Sequence, residues 1–321
     1  MSDASSKRAA ARGQPGPLSS EKEPLVYLNY TQAGLDAAYN QAAYQANIQQ
    51  LRDRWISNSE RTRQRIGQPS RVPYGPTEIE RFDIFRTDRA TDRAASRNGA
   101  PVFIFIHGGA WRAGSAKTYA APAEMFIRAG AHYVSPDFVL AQDAGGSLFP
   151  MADQVRRAIV WVYENAASFG GDRDRIYIGG HSSGAHLAAV ALTTDWRGEF
   201  GLPPDIIKGG MCSSGMYDLA PVRLSHRSSY VKFTDEMVEA LSPQRHIDKL
   251  RAPLIVAYGT YETPEFQRQA RDFAAAVTAI GKPVELLVGQ HYSHLELPET
   301  LCNPYGLLGS AVLEQMGLAG R

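Results

Sequence analysis

The sequence predicts an α/β fold with a mostly parallel central sheet flanked by helices, and three observations predict it. Short apolar runs rich in β-branched and aromatic residues alternate with longer runs of helical spacing, the pattern of βαβ crossovers. Gly180-His181-Ser182-Ser183-Gly184 places a Gly-x-Ser-x-Gly string between a β-prone run, Arg175-Ile176-Tyr177-Ile178, and a helix-compatible run from Ala185 to Leu192. His107-Gly108-Gly109-Ala110-Trp111 directly follows a second apolar strand candidate, Val102 to Ile106.

Taken in chain order, residues 1–24 are rich in Gly, Pro, Ser and basic residues and read as a disordered tail. They carry no apolar core of a secretory signal, and Gly13, Pro15 and Pro17 interrupt any amphipathic transit helix. Residues 25–321 read as a single α/β domain that opens with a helical cap over about 25–75. Thr31 is a candidate N-cap, and Leu35, Tyr39, Ala42, Ala43 and Ala46 follow at helical spacing, with Leu51 and Trp55 continuing the apolar content. In Glu80 to Phe85, Phe82 and Ile84 alternate against Arg81 and Asp83, as in a half-buried strand. A polar hairpin or loop is expected at Ala90 to Ala100, a strand at Ala131 to Ser135, and a helix at Met151 to Phe169 with Val155, Ile159, Val162 and Ala166 on one face. Gly170-Gly171 ends that helix. Strands at Ile206 to Cys212, Leu254 to Tyr258 and Val284 to Val288, and helices at Glu265 to Ile280 and Gly306 to Met316, complete the alternation.

Composition narrows the function. A net charge of +1 supplies no basic field for nucleic acid or an anionic membrane. No apolar run approaches the roughly 18 residues of a membrane span. Cys212 and Cys302 have neither metal-ligand nor redox spacing, which suits unpaired thiols in a reducing cytoplasm, although one bridge between them stays open. No dinucleotide fingerprint, P-loop or His-Glu-x-x-His string is present, so no cofactor and no metal is expected. The partner expected is a small-molecule substrate, and a homo-oligomer is left open.

The Gly-x-Ser-x-Gly string fits a sharp strand-to-helix turn that presents Ser182 as a nucleophile, with glycines where side chains would strike the neighbouring strand and helix. A serine hydroxyl needs a histidine to take its proton and a carboxylate to fix that histidine's tautomer. In such folds the chain order is serine, acid, histidine. The acid belongs on a loop after a late strand, where Tyr258-Gly259-Thr260-Tyr261-Glu262 offers Glu262; Asp218 is the main rival, and Asp248 and Asp272 are less well placed. The base belongs after the last strand, where His291 and His294 are equally allowed by spacing. His181 and His186 read as structural groups pointing to the sheet edge or along the helix, and His107 as a brace of the glycine loop. His132, His226 and His246 read as packing or solvent residues.

Three segments together, His107-Gly108-Gly109-Ala110-Trp111, Gly180 to Leu187 and Ser293-His294-Leu295-Glu296, resemble the arylformamidase (kynurenine formamidase) branch of the α/β-hydrolases, close to the hormone-sensitive-lipase-like esterases. The likeness spans about residues 25–317. It implies an α/β-hydrolase fold and favours His294, since its relatives commonly carry Asn-His-Phe at the catalytic histidine. It also implies an oxyanion hole from the amides of Gly108, Gly109 and Ser183. Trp111 and Tyr217 are candidates to line the substrate pocket, and Tyr27, Tyr30, Tyr39 and Tyr44 to face it from the cap. Serine and leucine replace the relatives' Asn and Phe, and Glu262 stands where many have Asp. The activity implied is cleavage of a small formamide, amide or ester through an acyl-enzyme. The alternatives are a short-chain carboxylesterase and a non-catalytic hydrolase-fold receptor.

Overall fold

The computed structural model describes residues 23–88 and 99–320. Strands β1 (Leu25–Tyr27) and β2 (Tyr30–Thr31) form a short antiparallel pair at the start. The central sheet holds β3 (Ser70–Pro73), β4 (Arg81–Phe85), β5 (Ala100–Ile106), β6 (His132–Pro136), β7 (Gly171–His181), β8 (Ile207–Ser213), β9 (Leu254–Gly259) and β10 (Val284–Gly289). Its order is β3-β4-β6-β5-β7-β8-β9-β10. Only β3 with β4 and β4 with β6 run antiparallel; the remaining neighbours are parallel.

Both faces of this sheet are covered, which is why its central strands read as continuous apolar runs. In β5 every residue is buried. Side chains alternate across a strand, so Val102, Ile104 and Ile106 enter one core while Phe103 and Phe105 enter the other. Helices α4 (Phe149–Asn165), α5 (Ser183–Leu192) and α9 (Pro264–Ala279) pack into the first core. Helices α3 (Ala123–Ala129) and α10 (Leu307–Gln315) close the second, where Phe126 stacks on Phe103 at 4.3 Å between ring centroids. Burying each such phenylalanine stabilises the fold by roughly 1.5–3 kcal/mol. Short helices α6 (Trp196–Phe200), α7 (Leu219–Arg223) and α8 (Asp235–Ala240) lie in the connections after α5 and β8. The expected face of α4, including Val155, Ile159 and Val162, is buried, and Gly170 stops the following 3-10 turn at φ 85°.

The N-terminal segment differs from the continuous helical pattern expected there. Thr31 caps α1 (Gln32–Ala38) by accepting from the Gly34 amide, but the chain then breaks, and α2 (Ile48–Ile66) begins ten residues further on. Tertiary anchors override the local pattern: the Tyr39 hydroxyl bonds Glu265 Oε2 at 3.0 Å, and Asn40 caps a separate 3-10 turn, Gln41–Ala43. Strand β3 is also unexpected; its Arg71 pairs with Asp83 on β4 and with Asp137 after β6. The loop expected over Ala90 to Ala100 lies, apart from its last two residues, outside the described residues, as does nearly all of the expected tail. Cys212 and Cys302 are both unpaired. No helix among the described residues is long and apolar enough to cross a membrane.

Parallel strands share one C-terminal edge. The loops that leave β5, β7, β9 and β10 there carry Gly108-Gly109, Ser182, Glu262 and His294, so residues up to 186 positions apart in sequence meet at one end of the sheet.

Candidate active site

Ser182 sits between β7 and α5 at φ 58° and ψ −123°, a left-handed conformation that costs a non-glycine residue about 1–3 kcal/mol. The surroundings hold it there. Its amide donates to the Ser213 carbonyl at 2.9 Å, and its carbonyl accepts from the His186 amide at 3.1 Å. A side chain at Gly184 would put its Cβ 2.1 Å from the Ile106 carbonyl oxygen, so α5 can start this close to β5 only with glycine there.

The Ser182 hydroxyl lies 2.9 Å from His294 Nε2, and His294 Nδ1 lies 3.0 Å from Glu262 Oε2. Glu262 is itself fixed: Oε1 accepts from the Ser214 hydroxyl at 2.6 Å and from the Gly259 amide at 2.7 Å. The carboxylate is buried, which strengthens each of these charge-assisted bonds. With Nδ1–H directed at Glu262, the free lone pair of His294 is on Nε2, facing the serine.

His181, expected at the sheet edge, instead stands beside the histidine of this relay. Their ring centroids are 4.6 Å apart, and His181 Nε2–H donates to the His294 carbonyl at 2.8 Å. Burial and the neighbouring His294 together push the His181 pKa well below that of a free imidazole, so His181 stays neutral and holds the loop that carries His294. His107 braces the glycine loop as expected, donating Nδ1–H to the Gly108 carbonyl at 2.9 Å and stacking on Phe138 at 4.2 Å. Gly109 takes φ 124°, and a Cβ there would lie 2.0 Å from the Ala113 carbonyl oxygen. The Tyr119 hydroxyl neighbours the Gly108 amide; burial raises its pKa to about 12, which keeps the phenol protonated.

Several expected residues lie elsewhere. His291 is exposed, bonded through Nδ1 to the Tyr261 hydroxyl at 2.9 Å. Asp218 caps α7 and Asp272 pairs with Arg268 at 2.6 Å. The pocket roles expected of Trp111 and Tyr217 are corrected, because both side chains are fully buried in the core. Trp111 donates its indole N–H to His186 Nδ1 at 3.2 Å, and Tyr217 stacks on Phe273 at 4.3 Å with its hydroxyl on the Cys212 carbonyl. Of the four cap tyrosines, Tyr39 lines the cleft described next, whereas Tyr44 lies at a neighbouring depression.

A cleft of about 540 Å³ opens above Ser182. Gly109, Tyr119, His181 and His294 line it, together with Tyr39, Ile48, Trp55 and Ile56 of the N-terminal segment. Sequence reasoning missed His181, Ser214 and the arginines of this cleft. His181 was visible within the serine turn, but its direction was not, and no local pattern marks Ser214 or the arginines.

This strand order, with a serine on the tight turn after β7, defines the protein as an α/β-hydrolase. A family model described as BD-FAE matches residues 88–202. A kynurenine formamidase of Danio rerio is 30% identical over 266 residues, covering 81% of this chain and 86% of that protein. Esterase LipQ of Mycobacterium tuberculosis is 31% identical over 239 residues, covering 68% of this chain and 55% of that protein. A thermophilic esterase structure from Thermogutta terrifontis superposes with a TM-score of 0.62 at 19% identity, covering 79% of this chain and 95% of that one. The chain is a hydrolase and belongs to the kynurenine formamidase family.

Proposed function

We propose that the protein is a serine hydrolase that cleaves an N-formyl arylamine through a formyl-enzyme. The observation that carries this reading is the unbroken relay Ser182, His294, Glu262 at 2.9 and 3.0 Å, with the serine opening into the cleft. Ser182 Oγ attacks the formyl carbon while its proton passes to His294 Nε2. The imidazolium is stabilised by Glu262, whose charge two other donors keep in place. The developing oxyanion is held by the amides of Gly108, Gly109 and Ser183, each such donor contributing about 3 kcal/mol to the transition state. When the C–N bond breaks, His294 returns the proton to the arylamine nitrogen. Water, deprotonated by the same histidine, then releases formate and restores Ser182.

The 30% identity to a kynurenine formamidase supports the formamide over other acyl groups. A second reading, a short-acyl carboxylesterase, is supported by the likeness to esterase LipQ. Turnover of N-formylkynurenine against a series of p-nitrophenyl esters separates them. Formamide cleavage with kcat/KM above that for the esters is expected; brisk ester cleavage with no formamide turnover would favour the second reading. The two free thiols support a cytoplasmic setting.

A further inference from the structure

Arg227 is only 5% exposed, yet no carboxylate among the described residues lies within ion-pair distance of it. Its Nη1 donates to the Tyr230 hydroxyl and its Nη2 to the Tyr39 carbonyl, both at 2.9 Å, while its Nε is buried without any acceptor. The guanidinium sits between two aromatic rings, 5.5 Å from the centroid of Trp111 and 5.9 Å from that of Phe266. Phe266 also touches the relay, its centroid 5.0 Å from that of His294. Neutral acceptors and ring faces offset only part of the cost of burying a cation, and an anion is the partner that would complete it.

The cleft that holds Ser182 is lined by Arg227 together with the exposed Arg52 and Arg112, and by no aspartate or glutamate. In a chain with almost equal numbers of acidic and basic residues, three cations and no anion around one cleft make a local positive field. Arg227 is held in place by its two hydrogen bonds and two rings, so little order is lost when it meets a ligand.

We infer that the cleft takes a substrate bearing a carboxylate and that Arg227 is the specificity residue that receives it, assisted by the exposed Arg112, whose guanidinium packs 4.6 Å from the centroid of the Tyr230 ring. That the carboxylate is on the leaving arylamine rests on the formamidase reading, because a formyl group has no room for one. The charge preference itself does not rest on it.

The test uses two matched pairs, each a carboxylate and its methyl ester: N-formylanthranilate, and 3-acetoxybenzoate. The wild-type enzyme favours the carboxylate member of each pair in kcat/KM. In Arg227→Gln that preference falls about 30-fold, the scale of a lost hydrogen bond to a charged group, chiefly through KM, and Arg227→Lys recovers part of it. Arg112→Gln, an exposed change that does not depend on the core refolding around it, lowers the preference by about threefold. Equal preference for both members in the wild type, or equal losses on both in Arg227→Gln, would overturn the inference and leave Arg227 a tether between α1 and the turn that follows α7. If Arg227→Gln does not fold, the wild-type ratio and Arg112→Gln still decide. Inert formamides with a charge-selective ester pair would reject the formamidase reading and keep the carboxylate site.

Discussion

Replacing Glu262 by Gln separates the orienting role proposed for this side chain from its structural one. The Gly259 amide and Ser214 hydroxyl both approach Oε1, at 2.7 and 2.6 Å. A glutamine must therefore keep its carbonyl oxygen there, since its NH2 group would face the Gly259 N–H donor. Its NH2 then points at His294 Nδ1, 3.0 Å away in the parent, and forces the proton of that ring onto Nε2. Nε2 can no longer accept from Ser182. A wrong tautomer of this kind costs about 10⁴ in kcat, or about 5 kcal/mol of barrier. Stability should change little, because both donors to Oε1 remain satisfied. Glu262→Ala inverts the pattern: His294 is free to adopt either tautomer, so more activity survives, but two buried donors lose their acceptor at about 1–3 kcal/mol each. The assay is kcat on an activated ester together with thermal melts of both variants. Activity in the order wild type, Ala, Gln and stability in the order wild type equal to Gln, then Ala, are expected. Glu262→Gln retaining more than a tenth of wild-type kcat would refute the assignment.

Three further outcomes follow from the geometry. His294→Ala should lower kcat/KM by at least about 10³, whereas His291→Ala, at an exposed ring bonded to Tyr261, should leave it within about threefold; steady-state kinetics on one ester compares them. Gly184→Ala should yield no soluble folded protein, or a melting point lowered by well over 10 °C, because its Cβ meets the Ile106 carbonyl oxygen at 2.1 Å; circular dichroism melts check this. His186 is buried, donates Nε2–H to the Leu241 carbonyl, and has its pKa lowered by burial from 6.5 to about 4. Between those values the unfolded chain binds the proton and the folded one does not, so stability should fall as pH drops from 6.5 towards 4, by roughly 3 kcal/mol from this group alone. Urea midpoints across that range should fall less steeply in His186→Gln.

The parallel strands were legible in the sequence because both of their faces are buried, which leaves unbroken apolar runs such as Val102 to Ile106. The serine turn was legible because close backbone approach excludes side chains at fixed offsets from Ser182. Strand β3 was not, since a polar edge strand such as Ser70–Pro73 is held by ion pairs with Asp83 and Asp137 rather than by its own pattern. The break after α1 was hidden for a similar reason: the helical spacing of Tyr39, Ala42 and Ala46 continues, but Tyr39 is drawn to Glu265, over 200 positions away. Spacing could not choose between His291 and His294, which differ in which way the loop after β10 turns, and His291 itself sits at φ 63°. The direction of Trp111 was not legible, because an aromatic beside a glycine-rich loop has the same composition whether it faces the cleft or the core. Arg227 had no signal at all, being a single arginine in a short turn.

The central claim is that Ser182 is a nucleophile activated by His294. Treatment with a fluorophosphonate followed by intact-mass and peptide analysis tests it most directly. One adduct per chain, located on Ser182 and lost in both Ser182→Ala and His294→Ala, is the result expected; no adduct on the folded wild-type protein, or an adduct on another residue that persists in Ser182→Ala, would contradict it.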